Sequence, residues 1–100
     1  MRVASSIRTK LTEALRPDRL EIVDESHLHA GHHHPGQGAH RAEGETHFRV
    51  TIVSATFEGM SRLQRQRRVY DLLAQEISEG VHALSLTTRT PVEEEKSRIG

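Results

Sequence analysis

Phe48, Val50 and Ile52 take every second position of Thr46–Val53, with His47, Arg49 and Thr51 between them. Nothing else in the chain constrains its fold as tightly. A period of two belongs to an extended strand with one buried and one wet face, so something apolar must cover the Phe48 side. Two segments can do so. Val3, Ile7, Leu11 and Leu15 recur at four-residue spacing with Ala14 beside them, while Arg8, Lys10 and Glu13 face away. That spacing predicts an amphipathic helix over residues 3–15, ended by Pro17, because the residue before a proline avoids helical angles. Further on, Ser61 and Gln64 stand at capping-box spacing. They open a second predicted helix, from about Arg62 to Ser78, with Leu63, Tyr70, Leu73, Ala74 and Ile77 on its inner face and Gly80 as its left-handed cap.

Two shorter runs complete a sheet. Leu20–Ser26 alternates imperfectly, with Leu20 and Ile22 on one face, and Val81–Arg89 places His82, Leu84 and Leu86 at one parity. The first and second strands can pair antiparallel. The second and third are joined through a helix, a crossover that should be right-handed and make them parallel. The expected fold is α+β, a two-layer sandwich of αββαβ order on a mixed three-stranded sheet, one domain over residues 1–100. Both helices should cover the face holding Leu20, Ile22, Phe48, Val50, Ile52, Leu84 and Leu86, leaving Glu21, Arg49, Thr51 and Ser85 wetter. Residues 91–100, with Pro91 and Glu93–Glu95, read as a short C-terminal helix or a tail.

Composition narrows the function. Hydrophobic residues make up 34% of the chain and the formal net charge is zero, which favours a folded chain and supplies no bulk field toward nucleic acid or anionic lipid. There is no cysteine, hence no disulfide, no thiolate metal site and no cysteine nucleophile. No apolar run approaches the roughly 18 residues of a membrane span, and the first residues lack the apolar core of a secretory leader. A cytoplasmic protein with no membrane partner is expected. Enzyme signatures are missing too: there is no phosphate-binding glycine loop, nucleophile elbow or metalloprotease His-Glu pattern. Asp24 and Glu25 adjoin, but on a strand they point to opposite faces, which does not suit paired acid–base work.

Between the first two strands, His27 to Glu45 forms a loop too polar and too rich in glycine to bury itself. It exceeds the usual length of a hairpin connection, which marks it as functional or disordered. Six of the fourteen residues from His27 to His40 are histidine. A cluster this dense binds zinc, nickel or copper to some degree whatever its purpose. His27 with His29, and His29 with His32, are candidate bidentate pairs, though no regular element presets their geometry. The run His32, His33 and His34 adds positive charge below pH ~6.5. His82, at a strand end, sits at the rim of the apolar face, where one ring nitrogen can meet solvent or a partner.

The second helix begins with Arg62, Arg65, Arg67 and Arg68. At 100° per residue Arg65 and Arg68 should face away from the Leu63–Tyr70 side, with Arg62 and Arg67 flanking it. Such a face is solvated, contacts phosphates or docks an acidic partner. A KH-type clamp on nucleic acid would need Gly-x-x-Gly between helices, which is absent, as are aromatics free to stack on bases.

Taken together, Glu21-Ile-Val-Asp-Glu-Ser26, Gly44-Glu-Thr-His-Phe-Arg-Val50, Phe57-Glu-Gly59, Arg65-Gln-Arg-Arg-Val-Tyr70 and Gly80-Val-His-Ala-Leu-Ser-Leu86 resemble BolA-like proteins. The resemblance runs in order from about residue 5 to Pro91. It implies a fold like the class II KH domain and an adaptor rather than an enzyme. BolA-like proteins pair with monothiol glutaredoxins and share a [2Fe–2S] cluster whose sulfur ligands come from the glutaredoxin and glutathione. The histidine at the start of the third strand corresponds to His82. A second ligand position after the first strand aligns with His29, with His27, His32, His33 and His34 near enough to compete. The free form is expected to be a monomer or weak homodimer, and DNA is the alternative partner. Imidazole in place of thiolate on one iron raises the cluster's potential and makes ligation pH-sensitive.

Overall fold

In the computed structural model, residues 2–25, 47–81 and 83–99 are described. The elements run α1 (Arg2–Leu15), β1 (Arg19–Asp24), β2 (His47–Val53), α2 (Arg62–Leu72), α3 (Ala74–Glu79), β3 (Ala83–Arg89) and α4 (Pro91–Ile99), with a 3-10 turn at Ala55–Phe57. The α+β architecture and the mixed three-stranded sheet are as expected. β2 is central, antiparallel to β1 with Leu20 opposite Ile52, and parallel to β3 with Val50 opposite Leu86.

The core lies between the sheet and the helices. Ile7, Leu11 and Leu15 of α1 meet Phe48, Val50 and Ile52 of β2, Phe57 of the turn, and Val69 and Leu73 of the helical crossover. Leu20, Ile22, Leu84 and Leu86 pack at the margins of this cluster. Each aliphatic side chain fully buried this way contributes about 1.5–3 kcal/mol.

The caps explain where elements stop. Arg16 ends α1 at φ +45, its amide bonded to the Thr12 carbonyl (3.0 Å), and Pro17 follows. The buried Ser54 hydroxyl donates to the Leu15 carbonyl (2.6 Å) and accepts from the Thr56 amide (3.1 Å), tying the end of α1 to the end of β2. Ser61 and Gln64 form the reciprocal capping box of α2. Gly80, at φ +147, closes α3 with amide bonds from Gly80 to Ile77 and from Val81 to Glu76, a pattern that satisfies orphan carbonyls.

Three expectations need correction. The predicted helix over 62–78 is two helices that jog at Leu73, φ −104, although the bonds Leu73 to Val69 and Ile77 to Leu73, both 3.0 Å, keep the ladder nearly continuous. Its inward stripe is Arg65, Val69 and Leu73, whereas Leu63 and Tyr70 are 61% and 40% exposed. An arginine takes the apolar position because its guanidinium lies over the Phe57 ring and is met by two backbone carbonyls and the Glu93 carboxylate. Finally, α4 covers one end of the sheet face expected to be open. Val53, on that face by parity, is buried, and Glu94 of α4 pairs with Arg19 and Arg89, its two register neighbours. Thr90 and Glu93 start α4 with a second capping box (2.9 and 3.1 Å), and Pro91 occupies the first helical position, where its missing amide costs nothing.

Candidate functional site

The sheet register determines which strand ends share one edge of the molecule. Asp24, the last residue of β1, lies opposite Phe48, and Ala83, the first residue of β3, lies opposite His47. The Glu25 amide donates to the His47 carbonyl (2.8 Å), extending the β1–β2 ladder by one bond. The end of β1 and the starts of β2 and β3 therefore meet at one end of the sheet, and adjacent strands lie about 4.8 Å apart. His82, His29, His27, His32, His33 and His34 themselves lie outside the described residues. Among the described residues no group of three or more His, Cys, Asp or Glu could hold a metal ion.

His47 was not singled out from the sequence, yet it stands half-buried at this same end. Its parity places it on the open face with Arg49, whose guanidinium pairs with Glu25 at 3.0 Å. The signal was present in the β2 alternation. It was read only as a marker of the wet face.

The arginines of α2 separate into two kinds. Arg65 is 9% exposed. It donates to the Met60 carbonyl (3.1 Å), the Thr88 carbonyl (3.3 Å) and both carboxylate oxygens of Glu93 (2.7 and 3.1 Å), and lies 5.7 Å from the Phe57 ring centroid. It is a clamp joining α2, β3 and α4. The hydrogen bonds from Arg65 and from the Thr90 amide hold the Glu93 carboxyl down at about 2. Arg62, Arg67 and Arg68 are exposed and form no ion pair with any described residue.

Between α2, β3 and the start of α4 runs a groove of about 530 Å³, lined by Arg62, Arg65, Gln66, Glu93 and residues 86–89 of β3. No sequence motif indicated this groove, because it depends on Arg65 turning inward and on α4 folding back. A third charged cluster lies elsewhere. Burial would raise the Glu76 carboxyl, but hydrogen bonds from Lys10 (3.0 Å) and from Ser6 outweigh it and hold the group below its usual range. This cluster ties α1 to α3 and is structural.

A mixed three-stranded sheet backed by helices defines a two-layer α+β domain. The model for BolA-like proteins matches residues 11–93, and the chain belongs to that family. It is 50% identical over 91 residues to BolA-like protein 1 of Homo sapiens, spanning 91% of this chain and 60% of that protein. It is 45% identical to an uncharacterized protein in the cobS 5' region of Sinorhizobium sp, spanning 93% of this chain and 96% of that one. Among solved structures, BolA1 from Arabidopsis thaliana superposes with TM-score 0.76 at 47% identity, covering 90% of this chain and 93% of that one. Among the described residues no helix is long and apolar enough to cross a membrane.

Proposed function

We propose that this chain is a cytoplasmic BolA-like adaptor that pairs with a monothiol glutaredoxin and shares a [2Fe–2S] cluster with it and with glutathione. The observation that carries the reading is the register, Asp24 opposite Phe48 and His47 opposite Ala83. Residue 82 and segment 26–46 are thereby joined to strand ends only two strand spacings apart, roughly 10 Å. That gap is short enough for imidazoles from both to approach one iron. The donor chemistry also fits: the chain is rich in imidazole and has no thiolate, so a partner must supply sulfur.

In this reading His82 is one ligand and His29, or a neighbour among His27, His32, His33 and His34, supports or replaces it. The cluster supplies electron storage or iron to an acceptor, and this chain's own contribution is to hold an imidazole at a fixed edge and release it on protonation. The test is to mix the protein with a cluster-loaded monothiol glutaredoxin and follow visible circular dichroism. His82→Ala should change the heterodimer spectrum, and an unchanged spectrum refutes the ligand role. Zinc or nickel on segment 27–40 is a side reaction in this reading, so deleting that segment should remove tight zinc binding.

A second reading, a DNA-binding regulator, is favoured by one observation: Arg62, Arg67 and Arg68 are exposed and without ion-pair partners among the described residues. Three phosphate contacts give a log–log salt slope near about −2.7. A gel-shift titration with no retention at low salt removes it.

A further inference from the structure

β3 is an edge strand whose outer rim is only partly covered. Along a strand, successive residues direct their amides and carbonyls to alternate sides. The Arg89 carbonyl accepts from the Ser54 amide on the β2 side (2.9 Å), so Leu84, Leu86 and Thr88 direct their backbone groups outward. α2 takes two of them. The Tyr70 hydroxyl donates to the Leu84 carbonyl (3.1 Å) and Arg65 donates to the Thr88 carbonyl (3.3 Å). Between these two, the Leu86 amide and carbonyl have no partner among the described residues.

This gap faces the groove beside α2. Arg62, Arg65 and Arg89 line that groove; Glu93 engages Arg65 and Glu94 engages Arg89, which leaves Arg62 without an ion-pair partner among the described residues. The groove is therefore net positive. Leu63 and Tyr70, seven residues apart on α2, add exposed apolar surface, and Tyr70 reaches the Leu84 carbonyl beside the gap. We propose that the β3 edge docks a short extended acidic segment of a partner protein, added as a fourth strand at Leu86 with its carboxylates toward Arg62.

Two other occupants fit less well. A nucleic-acid backbone presents phosphate acceptors in series, and Glu93 interrupts the cationic lining they would need. A second copy pairing β3 to β3 would set Arg62 of both copies against each other, a like-charge arrangement that is unfavourable. Strand addition instead uses backbone donor and acceptor together and leaves selection to the flanking side chains. The proposal goes beyond the adaptor reading and is independent of it. Arg89 is six residues along β3 from Ala83, roughly 20 Å at strand rise.

The experiment uses the full chain and a fluorescein-labelled hexapeptide of alternating glutamate and valine, read by anisotropy at low salt, with amide exchange followed by NMR. Expected are saturable binding, slowed exchange of the Leu86 amide, and at least about tenfold weaker binding both for Arg62→Glu and for a peptide N-methylated at alternate amides. An unchanged melting curve for Arg62→Glu shows that its fold survives. Equal binding of the N-methylated peptide overturns strand addition. Tighter binding of a labelled single-stranded DNA of equal charge, with the same Arg62→Glu sensitivity, makes the groove a nucleic-acid site. Self-association without peptide binding assigns the edge to a second copy, and no peptide binding at millimolar concentration overturns the proposal outright.

Discussion

Replacing Arg65 by alanine removes a cation that joins three elements, and its cost follows from its contacts. Its bonds to the Met60 and Thr88 carbonyls and its pair with Glu93 are charge-assisted. Each such bond contributes about 1–3 kcal/mol where it is dry. Glu93 is 46% exposed, so the ion pair itself is screened and is worth at most about 1 kcal/mol. Thr88 lines the groove, where water can replace part of what its carbonyl loses. Loss of the guanidinium's cation–π contact with the Phe57 ring adds to the cost. The sum is a destabilisation of about 2–3 kcal/mol, or a Tm lower by about 10–20 °C for a domain of this size. Urea denaturation followed by far-ultraviolet circular dichroism at pH 7 measures it. Glu93→Gln should cost less, about 1 kcal/mol, because glutamine still accepts the Thr90 amide. A double-mutant cycle should return a coupling near 1 kcal/mol. An Arg65→Ala loss below about 0.5 kcal/mol, the range of an indifferent surface change, would refute the clamp. Because the Glu93 carboxyl titrates at about 2, its contribution is complete above the ordinary carboxylate range near 4.5 and fades as pH falls from there through 2.

Three further outcomes can be checked by the same denaturation assay. Arg16→Gly should stabilise by about 0.5–1 kcal/mol, since a side chain at φ +45 is strained and glycine is not, and a loss of stability would contradict this. Ser54→Ala should cost about 1 kcal/mol by uncapping the 3-10 turn and removing the shorter of two hydroxyl bonds to the Leu15 carbonyl, the Thr56 hydroxyl keeping the other; a neutral result would mean that the Thr56 bond suffices. Glu76→Ala should cost about 1–3 kcal/mol at pH 7 and progressively less as pH falls below the usual carboxylate range, where the native carboxylate is itself protonated. A penalty that stays constant down to pH 2 would show that the Lys10 pair contributes nothing.

Much of the fold could be read from periodicity because the core is aliphatic and its stripes are clean. The spacing of Ile7, Leu11 and Leu15 and the alternation of Phe48, Val50 and Ile52 correspond directly to burial. The inner face of α2 was misread for a physical reason. An arginine can lie inward when backbone carbonyls and a carboxylate from distant elements meet its guanidinium, and no local pattern announces those partners. Likewise Thr90-Pro-Val-Glu93 carries a capping-box signal, yet nothing near it in sequence says that Glu93 will meet Arg65 or that Glu94 will bridge Arg19 and Arg89. Residue types pointed to imidazole chemistry at one end of the sheet. The groove at the β3 edge is a product of tertiary folding alone.

The one-bond extension of the ladder from Glu25 to His47 has an evolutionary corollary. Because both ends of segment 26–46 are pinned by the sheet, its closure entropy depends only logarithmically on length, and doubling it costs only about 0.6 kcal/mol. The core residues nearest it, Ile22 and Phe48, are held by the strands rather than by the insertion. Residues of this segment can therefore be added, moved or exchanged over generations with little effect on stability. The sheet end acts as an open port, where a lineage can change what the segment carries while the domain beneath stays the same.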